Sequence, residues 1–266
     1  MADQPGAMLT GKTAIIYGGG GGIGGAIART FAREAATVVV VGRSRDKLDA
    51  VVRDITAAGG SAEAAVIDAL DERAVDELVR GTARKTGTVD ISLNLITRGD
   101  VQGTPLVDMT TDDVLRAVVI GLQSNFITAR AAARTMIDQG SGVILHLNSA
   151  SGDGAMPGMG STGPADAASE SFMRYLAAEV GRFGVSVCGI WTAGVAETLS
   201  DAKIAEVAGP EGPTAQSAGE MIAGMAALGR TPRLADVAEV AAFLASDRAG
   251  GITGTMTNVT CGLVLK

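Results

Sequence analysis

Residues 12–35 require a strand to end in glycine and restart at once as a helix, a local geometry that few folds can use. KTAIIY is a short apolar run, YGGGGGIGGAIA follows from Tyr17, and IGGAIARTFAREA carries its apolar residues at helical spacing. Glycines let the backbone turn tightly and approach a pyrophosphate, whose charge is then held by the free N–H groups at the helix start. The run fits two spacings, Gly18-x-x-x-Gly22-x-Gly24 and Gly20-x-Gly22-x-x-Gly25. Its place between strand and helix makes it a nucleotide-binding signal rather than a flexible turn. Gly18, Gly22, Ile23 and Gly24 are therefore expected to line a cofactor site, with the Tyr17 phenol crowding the loop.

The rest of the chain repeats the strand-then-helix alternation. Strands are expected at 12–17, 37–42, 62–68, 89–96, 142–148 and 185–191. Helices are expected at 23–35, 45–58, 71–87 and 110–138, and from about Ser161. The long helix opens on Thr-x-x-Asp, a capping pattern. Continuous apolar strands, each followed by a helix, imply a parallel sheet covered on both faces. Right-handed crossovers then give an α/β fold, a doubly wound Rossmann-type sheet with helices on both faces. With 266 residues, 47% of them hydrophobic, the chain can bury a substantial core, and it is expected to be a single domain over 1–266. A net charge of −7 argues against nucleic acid and anionic membrane as partners. The start MADQPGAMLT has no signal-peptide character, and no apolar run approaches a bilayer span, so a cytoplasmic location is expected. Cys188 and Cys261 sit in apolar contexts and are expected to be buried thiols; no metal site is expected.

The end of the second strand speaks to which nucleotide binds. NAD sites carry an acid there, to hydrogen-bond the ribose hydroxyls. This chain has Gly42, Arg43, Ser44 and Arg45. Guanidinium groups without a neighbouring acid attract a 2′-phosphate, so NADP(H) is favoured over NAD(H), with Arg43 and Ser44 as contacts.

The segment 142–180, GVILHLNSASGDGAMPGMGSTGPADAASESFMRYLAAEV, resembles the catalytic strand and helix of the short-chain dehydrogenase/reductase family. There a strand ends in Ser and a helix carries Tyr-x-x-x-Lys. The resemblance runs from Lys12 to about Gly262, ending on ITGTMTNVTCG. It puts Ser149 at the catalytic serine, which hydrogen-bonds the substrate carbonyl. It puts Asp68 at the adenine-contacting aspartate, and Asn94 at the first residue of a motif supporting the sheet beneath the cofactor. It also implies departures. Thr162 stands at the family's tyrosine, Asp166 at its lysine, and Gly121 at the asparagine of its long helix. Leu95, Ile96 and Thr97 replace the rest of the Asn94 motif, and Tyr17 stands where a small hydroxyl residue is usual.

No residue elsewhere is an obvious replacement. The only tyrosines are Tyr17 and Tyr175, and Tyr175 lies about 220° around the helix from Thr162. Thr162 and Asp166 share one helix face. Threonine titrates too high for acid–base work near pH 7, whereas Asp166 would act as an acid if burial raised its pKa. Arg98 and Asp100, after the fourth strand, are the other ionisable groups expected at the pocket, against a reading as a solvated loop. His146, the only histidine, has the strand parity of Asn148 and is expected to point away from the pocket. Residues 196–230 are expected to form a lid, whose Met221, Ile222, Met225 and Leu228 suit a hydrophobic ligand or an oligomer contact.

Three functions fit these residues. The first is an NADP(H)-dependent oxidoreductase with an altered proton donor, reducing a carbonyl or conjugated double bond of a small hydrophobic substrate. The second is a non-redox cyclase, isomerase or lyase using the same pocket, and the third is a catalytically silent binding subunit. The first is preferred because the glycine turn and Arg43 favour a retained cofactor. By resemblance a homo-tetramer or homo-dimer is expected, built through the long helix and the Ser161 helix.

Overall fold

A computed structural model describes residues 6–265. Seven strands, β1 (Thr13–Tyr17), β2 (Thr37–Gly42), β3 (Ser61–Val66), β4 (Ile91–Asn94), β5 (Gly142–Ser149), β6 (Val185–Thr192) and β7 (Met256–Val259), form one sheet. Its order is β3-β2-β1-β4-β5-β6-β7, and every pairing is parallel.

The strand side chains alternate between two apolar layers, as a sheet buried on both faces requires. Ala14, Ile16, Val38 and Val40 face one layer, into which α1 (Gly22–Arg33), α2 (Arg45–Ala57) and α8 (Leu234–Ala245) send Ile27, Phe31, Leu48 and Val237. Ile15, Tyr17, Val39 and Val41 face the other, which is closed by α3 (Glu72–Thr86), α4 (Thr111–Gln139) and α5 (Thr162–Val180) through Val75, Val79, Ile127, Met136 and Met173. Local signals set the helix ends. Asp71 caps α3 and Thr110 caps α4, and Gly87 and Gly140 end the same two helices in the left-handed region.

The fourth strand is shorter than the 89–96 expected. The Asn94 side chain takes the Ile96 N–H at 3.3 Å, so the chain leaves the ladder there. Segment 196–230 carries two short helices, α6 (Asp201–Ala208) and α7 (Ala215–Met225). β1 pairs with β2 on one side and β4 on the other, which places the topological switch point between the ends of β1 and β4. Among the described residues, no helix is long and apolar enough to cross a membrane.

Candidate active site

The glycine turn sits at this switch point. Gly18 has φ +81°, and a Cβ there would lie 2.7 Å from the Leu95 carbonyl oxygen. A Cβ on Gly24 would lie 2.3 Å from the Gly18 oxygen, so α1 packs against the turn only because both residues lack side chains. α1 starts at Gly21 with no side-chain cap, which leaves its first N–H groups to whatever lies in the crevice. Ile23 packs into the first core, so only its backbone is offered to the crevice. Thr198, for which no motif argued, closes over the turn; its Cγ2 is 2.9 Å from where a Gly22 Cβ would be. It is distant in sequence and reaches the turn because the chain after β6 crosses back over the start of α1, past β4 and β5.

Tyr17 does not crowd the loop. Strand alternation turns its phenol the other way, into the core beneath α3 and α4, where the hydroxyl is buried without a hydrogen-bond partner. Burial, with Asp76 adding to it, pushes that hydroxyl well above the ordinary tyrosine range.

Arg43 and Ser44 are exposed at the end of β2. Ser44 is the α2 N-cap residue but makes no side-chain cap, and among the described residues Arg43 has no ion pair. Arg45 is held by Asp49 at 3.7 Å. Asp68 accepts from the Leu70 N–H at 3.0 Å, which bends the chain after β3. Asn94 serves the protein rather than the crevice. Its Nδ2 donates to Ser124 Oγ at 3.1 Å and to Asn125 Oδ1 at 3.0 Å, tying β4 to α4.

At the end of β5 the half-buried Ser149 donates its hydroxyl to Asp166 Oδ2 at 2.5 Å and accepts from the Ser151 N–H at 3.2 Å. Asp166 is fully buried on the first turns of α5, and its other oxygen accepts from Arg98 Nη1 at 2.7 Å. Arg98 also donates from Nη2 to Asp100 Oδ1 at 2.8 Å. Arg98 and Asp100 are not a solvated loop: both side chains turn inward, because Asp166 supplies a buried counter-charge. Gly121 makes room for this, since a Cβ there would lie 2.7 Å from Arg98 Cδ. Burial pushes the Asp166 carboxyl up to about 6, while Arg98 and the Ser149 hydroxyl pull the other way. Burial alone would lower Arg98, but the two carboxylates hold it above its ordinary value.

Thr162 is covered. Gln102 Nε2 donates to its Oγ1 at 3.1 Å, and Ser161 Oγ clamps Val101 through both its N–H, at 2.7 Å, and its carbonyl, at 2.9 Å. Nothing in the sequence marked Ser161 or Gln102 as site residues, because their partners lie about sixty positions away. His146 is fully buried on the α5 side of β5. Burial, with Arg98 and Arg174 adding to it, lowers its pKa to about 4.

A parallel doubly wound sheet with an uncapped glycine turn at its switch point defines a nucleotide-binding class of α/β protein. Comparison with known proteins narrows the class. Residues 19–264 match the family model described as enoyl-(acyl carrier protein) reductase. The Escherichia coli oxidoreductase UcpA is 31% identical over 261 residues, covering 97% of this chain and 96% of that protein. The 7α-hydroxysteroid dehydrogenase of Escherichia coli is 31% identical over 262 residues, covering 98% of each. A solved 7α-hydroxysteroid dehydrogenase, complexed with NADH and 7-oxo glycochenodeoxycholic acid, superposes with a TM-score of 0.82 at 29% identity, covering 100% of this chain and 99% of that one. The chain belongs to the short-chain dehydrogenase/reductase family.

Proposed function

We propose that this protein is an NADP(H)-dependent oxidoreductase with a non-standard active site, reducing a carbonyl or conjugated double bond of a small hydrophobic substrate. The observation that carries the reading is the carboxyl edge of the sheet, where the uncapped start of α1 follows β1 and the half-buried Ser149 ends β5, with β4 between them. Similar proteins in the family are named as oxidoreductases, and one solved relative is complexed with NADH. The residues fit a pyridine dinucleotide. Gly22, Ile23 and Gly24 offer backbone N–H groups to the pyrophosphate, while Gly18, whose own N–H donates to the Val41 carbonyl, turns the chain beneath them; Asp68 lies at the adenine end, and Thr198 covers the turn. The choice of NADP(H) rests on Arg43, whose unpaired guanidinium suits a 2′-phosphate, together with the free Ser44 hydroxyl.

When bound, the reduced nicotinamide supplies a hydride. Ser149 then orients the substrate oxygen, while Thr162, covered by Gln102, takes no part. The apolar faces of residues 196–230, with Met221 and Met225 exposed, close over a hydrophobic substrate. On α4, exposed Leu115, Val119, Leu122 and Phe126 recur at i, i+4, i+7 and i+11, forming a stripe that supports a homo-oligomer.

The cofactor reading is tested by titrating the protein with NADPH and NADH while following Trp191, the only tryptophan. Tighter binding of NADPH, with the preference lost in Arg43→Ala, is expected. Equal affinities would overturn the NADP(H) preference, and no response to either nucleotide would overturn the oxidoreductase reading.

A further inference from the structure

Asp166 is a fully buried ionisable group that the reading above leaves without a task. Asp166 has no exposed surface, so it cannot touch a substrate itself. Its two oxygens are divided. Oδ1 is held by Arg98, and Oδ2 meets the Ser149 hydroxyl at 2.5 Å. Ser149 is half-buried at the mouth of the crevice, and the Ser151 N–H fixes one of its lone pairs. Arg98 is tied to Asp100 on its other side and has no proton to exchange near neutral pH, so the serine hydroxyl is the group that can carry a proton between the buried carboxyl and the end of β5.

We propose that Ser149 and Asp166 form a two-residue proton relay, in which Asp166 is the positioning residue and proton store and Ser149 the catalytic contact. The proposal rests on the oxidoreductase reading and deepens it. A serine hydroxyl has one proton to donate. While Asp166 is ionised, that proton points inward and Ser149 presents only a lone pair to the crevice. Once Asp166 is protonated, the carboxyl donates to Ser149 Oγ and the serine proton turns outward, toward a substrate oxygen. In the reducing direction, a bound reduced nicotinamide would supply the hydride to the carbonyl carbon, and the C=O π pair would pass to oxygen. That oxygen takes the Ser149 proton as Ser149 takes the Asp166 proton, leaving an alcohol, an oxidised nucleotide and an Asp166 carboxylate. Concerted transfer avoids a free serine alkoxide, which is inaccessible near neutral pH. After product leaves, solvent reprotonates Asp166 by the reverse path. In the oxidising direction the carboxylate takes the alcohol proton through the same hydroxyl.

The groups around Asp166 are consistent with this role. Arg98 and Asp100 face it from the loop after β4, and the Asp166 carbonyl accepts from Asn148 of β5, which also contacts Glu170 one turn along α5. His146 of β5 lies in the same buried layer and is held neutral. Arg98 fixes the carboxylate in place, while burial keeps its proton within reach of neutral pH.

The test is a carbon-13 NMR titration of aspartate-labelled protein without nucleotide, with the Asp166 carboxyl signal assigned by its loss in Asp166→Asn. The relay requires that carboxyl to titrate above the ordinary aspartate range, and its midpoint to rise by about half a unit or more in Ser149→Ala, because a donor to the carboxylate is lost. A midpoint at or below the ordinary value, or one that ignores Ser149→Ala, overturns it. A second arm follows NADPH oxidation with ethyl acetoacetate as the probe. The rate should fall as pH rises through that midpoint. Asp166→Asn should lower it by about 100-fold and abolish the pH limb; a limb that persists in Asp166→Asn overturns the relay. Failure to bind NADPH sinks the oxidoreductase reading by a separate measurement and leaves the NMR titration to decide whether Ser149 and Asp166 share a proton.

Discussion

Arg98 occupies the space that any side chain on residue 121 would need: a Cβ on Gly121 would lie 2.7 Å from Arg98 Cδ. A glycine in mid-helix costs about 0.5–1 kcal/mol relative to alanine, so its presence in α4 requires a compensation, and the Arg98–Asp166 pair supplies one. Gly121→Ala should therefore destabilise the wild type by about 1–3 kcal/mol through overpacking. In an Arg98→Ala background the same change should stabilise by about 0.5–1 kcal/mol. A double-mutant cycle read by urea denaturation checks this reversal of sign, and equal effects in both backgrounds would count against the contact.

Asp166 and His146 are expected to oppose one another in the pH dependence of stability. The folded pKa of Asp166 is raised from 3.8 to about 6, so its contribution is fully present below about pH 3.8 and is lost as pH rises through about 6. That of His146 is lowered from 6.5 to about 4, so the unfolded state binds more protons between those values and stability is lost as pH falls. Relative to wild type, His146→Leu should steepen the loss on going from pH 4 to 6, whereas Asp166→Asn should make stability rise over the same interval. Each difference is of the order of 3 kcal/mol, from two to two and a half pKa units at about 1.4 kcal/mol each. Unfolding free energies of the three proteins at pH 4, 5, 6 and 7 measure it. Parallel pH profiles would refute both assignments.

Introducing the family's tyrosine and lysine alone is expected to fail. Thr162→Tyr must displace Gln102, and Asp166→Lys sets a second cation against the buried Arg98. Replacing an attractive buried pair with a like-charge one costs roughly 3–5 kcal/mol or more. The double variant should therefore have a markedly lower Tm and no gain in carbonyl reduction. Adding Arg98→Ala and Gly121→Asn should recover most of the Tm and raise the rate of NADPH oxidation with a small ketone. Thermal denaturation and a turnover assay distinguish the two variants, and a well-folded double variant would show that Arg98 does not govern the site.

The exposed stripe on α4 predicts self-association. Leu115→Glu with Val119→Asp should shift the protein to a smaller species in light scattering, with little change in circular dichroism, since both side chains are exposed and belong to neither core. An unchanged mass in the folded variant would place the oligomer contact elsewhere, and a monomeric wild type would remove the oligomer reading altogether.

How much was legible in advance follows from the range of the interactions. The expected strands and helices reappear with small shifts at their ends, because apolar alternation, helix spacing, Thr110 and Gly140 act within a few residues. The Gly18 to Gly24 turn was equally legible, since both flanking elements are local. Where the expectations went astray, a distant partner decided. Tyr17 was placed in the loop although strand parity sends it into the core, and 89–96 was extended past Asn94 because nothing nearby shows that Asn94 would bond to α4. Arg98 and Asp100 are legible as groups that turn inward, but their partner Asp166 is not, because it lies on α5.

The sequence by itself therefore determined the parallel sheet, the glycine turn at its switch point, and the placement of Thr162 and Asp166 on one helix face. Only the tertiary structure decided what these residues do to one another. Asp166 and Arg98 are 68 positions apart, and their pairing exists because the loop after β4 brings Arg98 to the start of α5, with Gly121 of α4 yielding the space. Patterns of a few residues specify elements. The protonation of a buried carboxyl depends on which charges and hydroxyls the completed fold leaves within about 3 Å of it, and on how much water it excludes.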